Sequence, residues 1–370
     1  MPINTGLGQV SNAALVSAIA LYALAMVAYA GDLAFGRRRT GRQPQAKAPE
    51  LVAATVAAGS AEAAGQPGAQ ATGLAIPADP AGLSEPADPD GADDADAAQP
   101  AAAARPARPG SGPRWPSGTW LRSAFLLTCV GLLSQIAALA IRGVAEHRVP
   151  WGNMYEFIAA ITCAAVLVLV LAAIRFRAYY TGLFVLLPVV LALAVDVVVI
   201  YTPAEQLVPA LKSYWIAIHV TAMIIGIGMY LFGAVVTVLF LLSARSERLA
   251  AAGQGSRAGG IMAQLPGSAT LDRLSYRSIL FAFPAWTFAV IAGAIWADQA
   301  WGRYWGWDPK ETWSFITWLV YASFLHARAT AGWRGKRAAF IHLTGFACLM
   351  FNLVGVNLWI TGLHSYAGIN

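Results

Sequence analysis

The stretch "WADQAWGRYWGWDPKETW", residues 296 to 313, sets five tryptophans among two glycines, a proline and five charged side chains. Indole is large and scarce, and its ordinary roles are a core anchor or one member of an aromatic girdle at a membrane interface. A girdle accounts for Trp296 and Trp313 at the two ends of the run. It accounts poorly for Trp301, Trp305 and Trp307, which share a short loop with Gly302, Gly306 and Pro309. Glycine interleaved with indoles removes side chains from between the rings, so a flat apolar ligand could lie against their faces. Arg303 and Lys310 would then meet carboxylates at the ligand's edge.

The second chemical signal is imidazole, of which the chain holds only five. His219 lies in "SYWIAIHVTAM" and His364 in "TGLHSYAG", while His147, His326 and His342 stand elsewhere. A single histidine near a span end serves most often as a hydrogen-bonded interfacial residue, but a neutral imidazole is also the commonest metal ligand. What these groups can do depends on the elements that position them.

Those elements are membrane spans. With 58% apolar and 12% charged residues and a mean hydropathy of +0.56, the chain is too apolar for an ordinary soluble domain. Eight windows approach the roughly 20 apolar residues that cross a bilayer. They run from Asn12 to Leu33, Thr119 to Ile141, Tyr155 to Ile174, Tyr180 to Ile200, Tyr214 to Leu242, Ile279 to Trp296, Trp313 to Ala327 and Ala338 to Ile360. The expected fold is an all-α polytopic membrane protein with about eight transmembrane helices. The net charge of +6 is no sign of nucleic acid, because Lys and Arg gather in short clusters between apolar stretches. Arg37, Arg38, Arg39 and Arg42 follow the first span, Arg175 and Arg177 the third, Arg245 and Arg248 the fifth, and Arg328, Arg334, Lys336 and Arg337 the seventh. The positive-inside rule puts these four loops in the cytoplasm, both termini outside, and the Trp-rich loop outside between spans six and seven. The expected location is the plasma membrane, with lipid around the spans. The first span lacks the basic start and small-residue cleavage site of a signal peptide and is expected to remain in the mature chain.

Three segments follow. Residues 1–35 hold the first span. Residues 36–115 are dominated by Ala, Pro, Gly and Asp, including "ADPDGADDADAAQP"; such a composition cannot bury enough apolar surface to offset the entropy of ordering it, so a disordered cytoplasmic linker is expected. "AAAGQGSRAGG", between spans five and six, reads as a smaller loop of the same kind. Residues 116–370 form the remaining seven-helix core.

On this topology His219, just inside the outer end of span five, and His364, just past the outer end of span eight, both face the Trp-rich loop. Two imidazoles flanking an aromatic platform match what a haem iron requires: axial nitrogens while the macrocycle lies on apolar rings and its two propionates meet basic residues. Zinc is the competing metal, but the outer side lacks the Cys/His/carboxylate cluster of a closed four-ligand site.

The run "WGRYWGWDPKETW" resembles the tryptophan-rich WWD signature of haem-handling proteins, and "HRVPWGNMYEF" at 147 to 157 is similar to the motif ahead of an early span in the CcsA (ResC) branch. The resemblance covers the chain from about Trp115 onward. It implies the integral-membrane half of a two-subunit cytochrome c synthase, which carries haem b outward and joins it to Cys-x-x-Cys-His of an apocytochrome c. It implies a ResB/CcsB-type membrane partner, haem lyase activity only together with that partner, and a site on the outer face. It also implies His219 and His364 as the external iron ligands, with Trp296, Trp301, Arg303, Tyr304, Trp305, Gly306, Trp307, Asp308 and Trp313 around the porphyrin. No protein nucleophile is expected, since the chemistry belongs to the haem vinyl groups and the substrate thiolates. The alternative is a haem exporter or membrane haem electron-transfer protein without ligation activity.

Cys129, Cys163 and Cys348 all fall inside spans with no C-x-x-C pair, so packing is their expected role and thiol reduction falls to thioredoxin-like proteins acting indirectly. His326 lies thirteen residues beyond Trp313, about 20 Å along a helix, in the inner leaflet. Interhelical hydrogen bonding is its bland role. The resemblance instead implies that it binds an inner haem iron whose second ligand comes from the partner, with His342 as the rival. His147 reads equally as a local hydrogen-bonding residue or as cavity lining. Asp308, Lys310 and Glu311 could simply salt-bridge and cap the start of the seventh span; Asn153, Tyr155 and Glu156 could shape the outer cavity, and capping of the third span explains them as well. Asp196 is too isolated to assign.

Overall fold

The computed structural model describes residues 4–35, 116, 118–203, 213–254 and 264–364. Among them every regular element is a helix. These are α1 (Thr5–Phe35), α2 (Thr119–Glu146), α3 (Met154–Phe176), a single 3-10 turn (Tyr179–Thr181) leading into α4 (Gly182–Val198), α5 (Tyr214–Ala251), α6 (Ser268–Trp301), α7 (Pro309–Ala329), α8 (Lys336–Met350) and the short α9 (Val356–Trp359), which continues α8 through a π turn at Phe351–Gly355. Long Ala/Leu/Val runs in a bilayer leave no other option, because every backbone group must be satisfied within its own segment. Seven of these segments are long and apolar enough to cross a membrane. The remaining expected span, Trp313 to Ala327, falls within α7, a helix that is not among the seven and carries Lys310, Glu311 and Arg328 toward its ends. The expected linker at 36–115 lies outside the described residues, as does most of the loop after α5.

The helices group around two apolar cores. One joins α1–α4 with the C-terminal half of α5 and the N-terminal part of α6, and the other is built from α3 and α5–α8. Small residues permit the closest crossings, as is common between helices in lipid. A Cβ on Gly228 of α5 would lie 2.8 Å from that of Ala164 on α3. Buried polar groups tie the helices together: Tyr22 on α1 donates to Gln135 on α2 at 2.7 Å, and Gln135 donates to Thr162 on α3 at 2.9 Å.

One end of the bundle collects the chemistry. The α6–α7 loop, the start of α3, the start of α5 and the segment after α9 meet there, and the Asn4 amide before α1 bonds Ala145 O near the end of α2. Sequence reasoning ended span six at Trp296, but the helix runs five residues further, so Trp296 and Trp301 sit on α6 and the loop proper is only 302–308. Gly302, at φ 68°, supplies the left-handed residue that stops α6.

Candidate functional site

A cavity opens at this end between α3, α5, α6, α7 and α8. Its empty space, including the open mouth, is about 1110 Å³. His219, Trp296, Trp301, Tyr304, Trp305 and His364 line it together, so the structure gathers residues that the sequence separates by up to 145 positions.

Each histidine is oriented by its Nδ1. In His219 that atom lies 2.7 Å from the carbonyl of Ala289. A carbonyl only accepts, so Nδ1 carries the proton and Nε2 the lone pair. Gly293, one turn beyond Ala289, makes room for the ring: a Cβ there would come within 2.6 Å of it. In His364, Nδ1 lies 2.9 Å from Asp308 Oδ1, which fixes the same tautomer while Asp308 is ionised. Trp296 stands between them. Its ring is nearly parallel to His219 at a centroid distance of 6.1 Å and edge-on to His364 at 5.8 Å, and Trp301 meets His364 edge-on at 4.9 Å.

Asp308 does two jobs. It opens α7 in a capping box with Glu311, and its second oxygen accepts the Leu363 N–H at 2.7 Å. Helix start and C-terminal segment are thereby joined through one carboxylate. Burial raises its pKa, but the His364 hydrogen bond and the Leu363 and Lys310 amides outweigh that and hold the carboxyl below its ordinary range.

Other expected residues are placed differently. Trp307, at φ 58°, is 65% exposed and packs on Trp305 and Phe315, while Trp313 packs on Phe351 at 4.3 Å; neither lines the cavity. The Arg303 guanidinium lies over Gly306, where no side chain obstructs it, and pairs with Glu311 at 3.7 Å. The basic group on the cavity is Lys310. His147 is exposed, ends α2 at φ 53° and does not line the cavity. Three α-helical residues that sequence reasoning passed over, Trp286, Gly293 and Ser314, form part of the lining. Only Gly293 gave a signal, as a glycine in an apolar helix interior.

The match to known proteins follows the same boundaries. The family described as "Cytochrome C assembly protein" matches residues 151–364, from the loop ahead of α3 to the second cavity histidine. This chain belongs to the CcsA-type cytochrome c biogenesis family. It is 35% identical over 262 residues to "Cytochrome c biogenesis protein CcsA" of Guillardia theta, covering 66% of this chain and 84% of that protein. It is 36% identical over 291 residues to that of Gloeobacter violaceus, covering 66% and 86%. For Chlamydomonas reinhardtii the figures are 43% over 167 residues, 45% and 44%. The chain is thus a multi-pass membrane protein of cytochrome c assembly, a family that implies the involvement of haem. The donor set agrees with that: two imidazoles with defined tautomers, an aromatic shelf, and a glycine cradle that a Cβ would fill.

The two remaining histidines of this CcsA-type chain face opposite ways. His326 is exposed on the outer surface of α7. His342 on α8 is 0% exposed, with Nδ1 2.7 Å from Thr237 Oγ1 and 3.4 Å from Ser275 Oγ. The charged residues around α3 hold more than a cap. Glu156 gathers Arg142, Arg148, the Gly152 amide and Asn153. The pair of Arg and Glu four residues apart at 142 and 146, inside an apolar run, was its sequence signal.

Proposed function

We propose that the chain is the haem-handling subunit of a two-subunit cytochrome c synthase, with haem b as the substrate presented in the cavity. The observation that carries this is the arrangement of His219 and His364 about Trp296, each imidazole with its Nδ1 directed to an oxygen, the orienting contact typical of iron- and zinc-ligating histidines. The Trp296–Trp301–Trp305 surface would support the macrocycle and Lys310 would meet a propionate. The chain's part is to hold reduced porphyrin so that its vinyl groups meet the two thiols of an apocytochrome Cys-x-x-Cys-His, where each S–H adds across a C=C bond. Positioning of this kind converts a bimolecular addition into a local one.

The positive-inside pattern supports a plasma-membrane protein with the cavity on the outer face and the 36–115 segment in the cytoplasm. The exposure of His326 supports its ligating an inner haem together with a ResB-type partner, since a ligand to a shared iron must be reachable from another chain. His342 is already engaged inside its own bundle. Co-expression with a ResB-type protein and an apocytochrome c tests the reading by covalent haem on the substrate. Bound haem without transfer would show an exporter or electron-transfer protein instead, and absence of haem from the purified chain and complex would refute both.

A further inference from the structure

The cavity has a second wall that the tryptophan-rich loop does not supply. Trp151, Gly152, Asn153, Met154 and Phe157, from the α2–α3 loop and the first turn of α3, line it. This loop has little regular structure to hold it: its backbone bonds include Arg148 N to Gly143 O at 3.1 Å and Trp151 N to Val149 O at 3.0 Å. Its shape depends instead on one carboxylate. Glu156 is 1% exposed. Its Oε2 accepts from Arg148 Nη1 at 2.7 Å and from the Gly152 amide at 2.8 Å. Its Oε1 accepts from Arg148 Nη2 at 3.0 Å, Asn153 Nδ2 at 3.1 Å and Arg142 Nε at 3.2 Å. Glu146 completes the set with Arg142 at 2.8 Å and Arg148 at 2.6 Å, its own carboxyl pushed up to about 8 by burial and by the neighbouring Glu156. Arg142 also reaches Thr202 O beyond α4 at 2.7 Å.

A helix cap does not need this. Asn153 already caps α3 by accepting the Glu156 N–H at 2.9 Å. Nor is net stability an adequate reason, because desolvation of buried ion pairs offsets most of their attraction and apolar side chains of similar volume do as well. What a planar guanidinium fork and a carboxylate supply is geometry. The backbone they hold is that of Gly152, the immediate neighbour of Trp151. The indole N–H of Trp151 is buried, and no acceptor takes it among the described residues. A buried donor without a partner in a cavity wall is explained by a ligand or water that supplies the acceptor.

We propose that Glu156 is the positioning residue of this second wall, clasping the α2–α3 loop so that the Trp151 indole N–H is presented to an acceptor on the bound substrate, the carboxylate edge of the porphyrin being the matching chemistry. The inference rests on the haem reading for the identity of that acceptor, and on geometry alone for the clasp.

The test uses the full-length chain purified in detergent, as wild type and as Glu156→Gln, Arg148→Lys and Trp151→Phe. Each is titrated with ferrous haem by absorbance and, separately and without haem, digested with limiting trypsin while cleavage after residue 148 is followed. Glu156→Gln keeps the shape of the side chain but loses its charge; cleavage should accelerate several-fold and haem affinity fall by about tenfold or more, the size seen when a residue that orients a ligand-bearing group is lost. Arg148→Lys keeps the charge without the fork and should show a smaller effect of both kinds. It carries the test if Glu156→Gln does not fold. Trp151→Phe keeps the ring but not the donor, so haem should weaken while cleavage stays at the wild-type rate. Wild-type cleavage and wild-type affinity in Glu156→Gln would overturn the proposal. So would a lowered melting temperature with unchanged haem affinity in the folded protein, the signature of a purely structural role. If the wild type itself takes up no haem, the haem reading fails, and the cleavage rates still decide the clasp.

Discussion

Replacing Gly293 by alanine probes the His219 site with the smallest possible change. On helix grounds alone the substitution should stabilise, since alanine exceeds glycine by about 0.8–1.0 kcal/mol in a helix interior. The added Cβ, however, would lie 2.6 Å from both Cε1 and Nδ1 of His219, a separation at which something must move. The ring cannot turn aside without lengthening its 2.7 Å contact to Ala289 O. Overpacking of this kind costs about 1–3 kcal/mol, and loss of the hydrogen bond a further 0.5–1.5 kcal/mol or so. The helix gain therefore offsets only part of the cost. The unfolding free energy should fall by roughly 1–3 kcal/mol, and if the ring is displaced from its ligating position, haem affinity should fall about tenfold for each 1.4 kcal/mol. The assay is the absorption spectrum and haem titration of the purified protein, with and without added imidazole. Imidazole should restore much of the Gly293→Ala spectrum, because the iron needs only a nitrogen at the right place. A haem affinity and spectrum identical to wild type would refute the argument that Gly293 exists to admit the His219 ring.

Three further outcomes are expected. His219→Ala and His364→Ala should each abolish cytochrome c maturation in a co-expression assay and regain part of it with imidazole; full activity in both variants would eliminate the cavity pair as ligands. Asp308→Asn should weaken the junction between α7 and Leu363–His364 by about 1.5–3 kcal/mol, the range for hydrogen bonds to a charged group. Because the folded carboxyl of Asp308 is depressed, its contribution is complete above the unfolded value of about 3.9 and is lost as pH falls through the folded value. Unfolding measurements on wild type and Asp308→Asn should therefore show a constant gap between about pH 5 and 7 that closes only in stronger acid, and a gap already closing near neutrality would contradict it. His326→Ala should lower the haem that co-purifies with the two-subunit complex, whereas His342→Ala should chiefly disturb the Thr237–Ser275 contacts; haem loss in His342→Ala alone would move the inner ligand to α8.

How far the sequence reaches is clearest residue by residue. Apolar run length alone determined the helices, since a bilayer permits a chain of this composition little else. Interleaved tryptophan and glycine marked the α6–α7 region, and the scarcity of histidine singled out His219 and His364. Tertiary structure decided which way each side chain points. In water, a helix reveals its buried face by polarity; in lipid, the tails outside are as apolar as the leucines inside, and the sequence carries almost no such signal. Sequence could therefore propose Arg303 and Lys310 alike for a carboxylate edge, while the fold turns Arg303 onto Gly306 and Glu311 and leaves Lys310 on the cavity. It could rank His326 against His342 but not see that one is exposed and the other enclosed beside Thr237. Nor could it anticipate that Ala289, through its backbone carbonyl, sets the proton on His219. A carbonyl is the same at every position in the chain, and only the crossing of α5 over α6 brings this one to an imidazole.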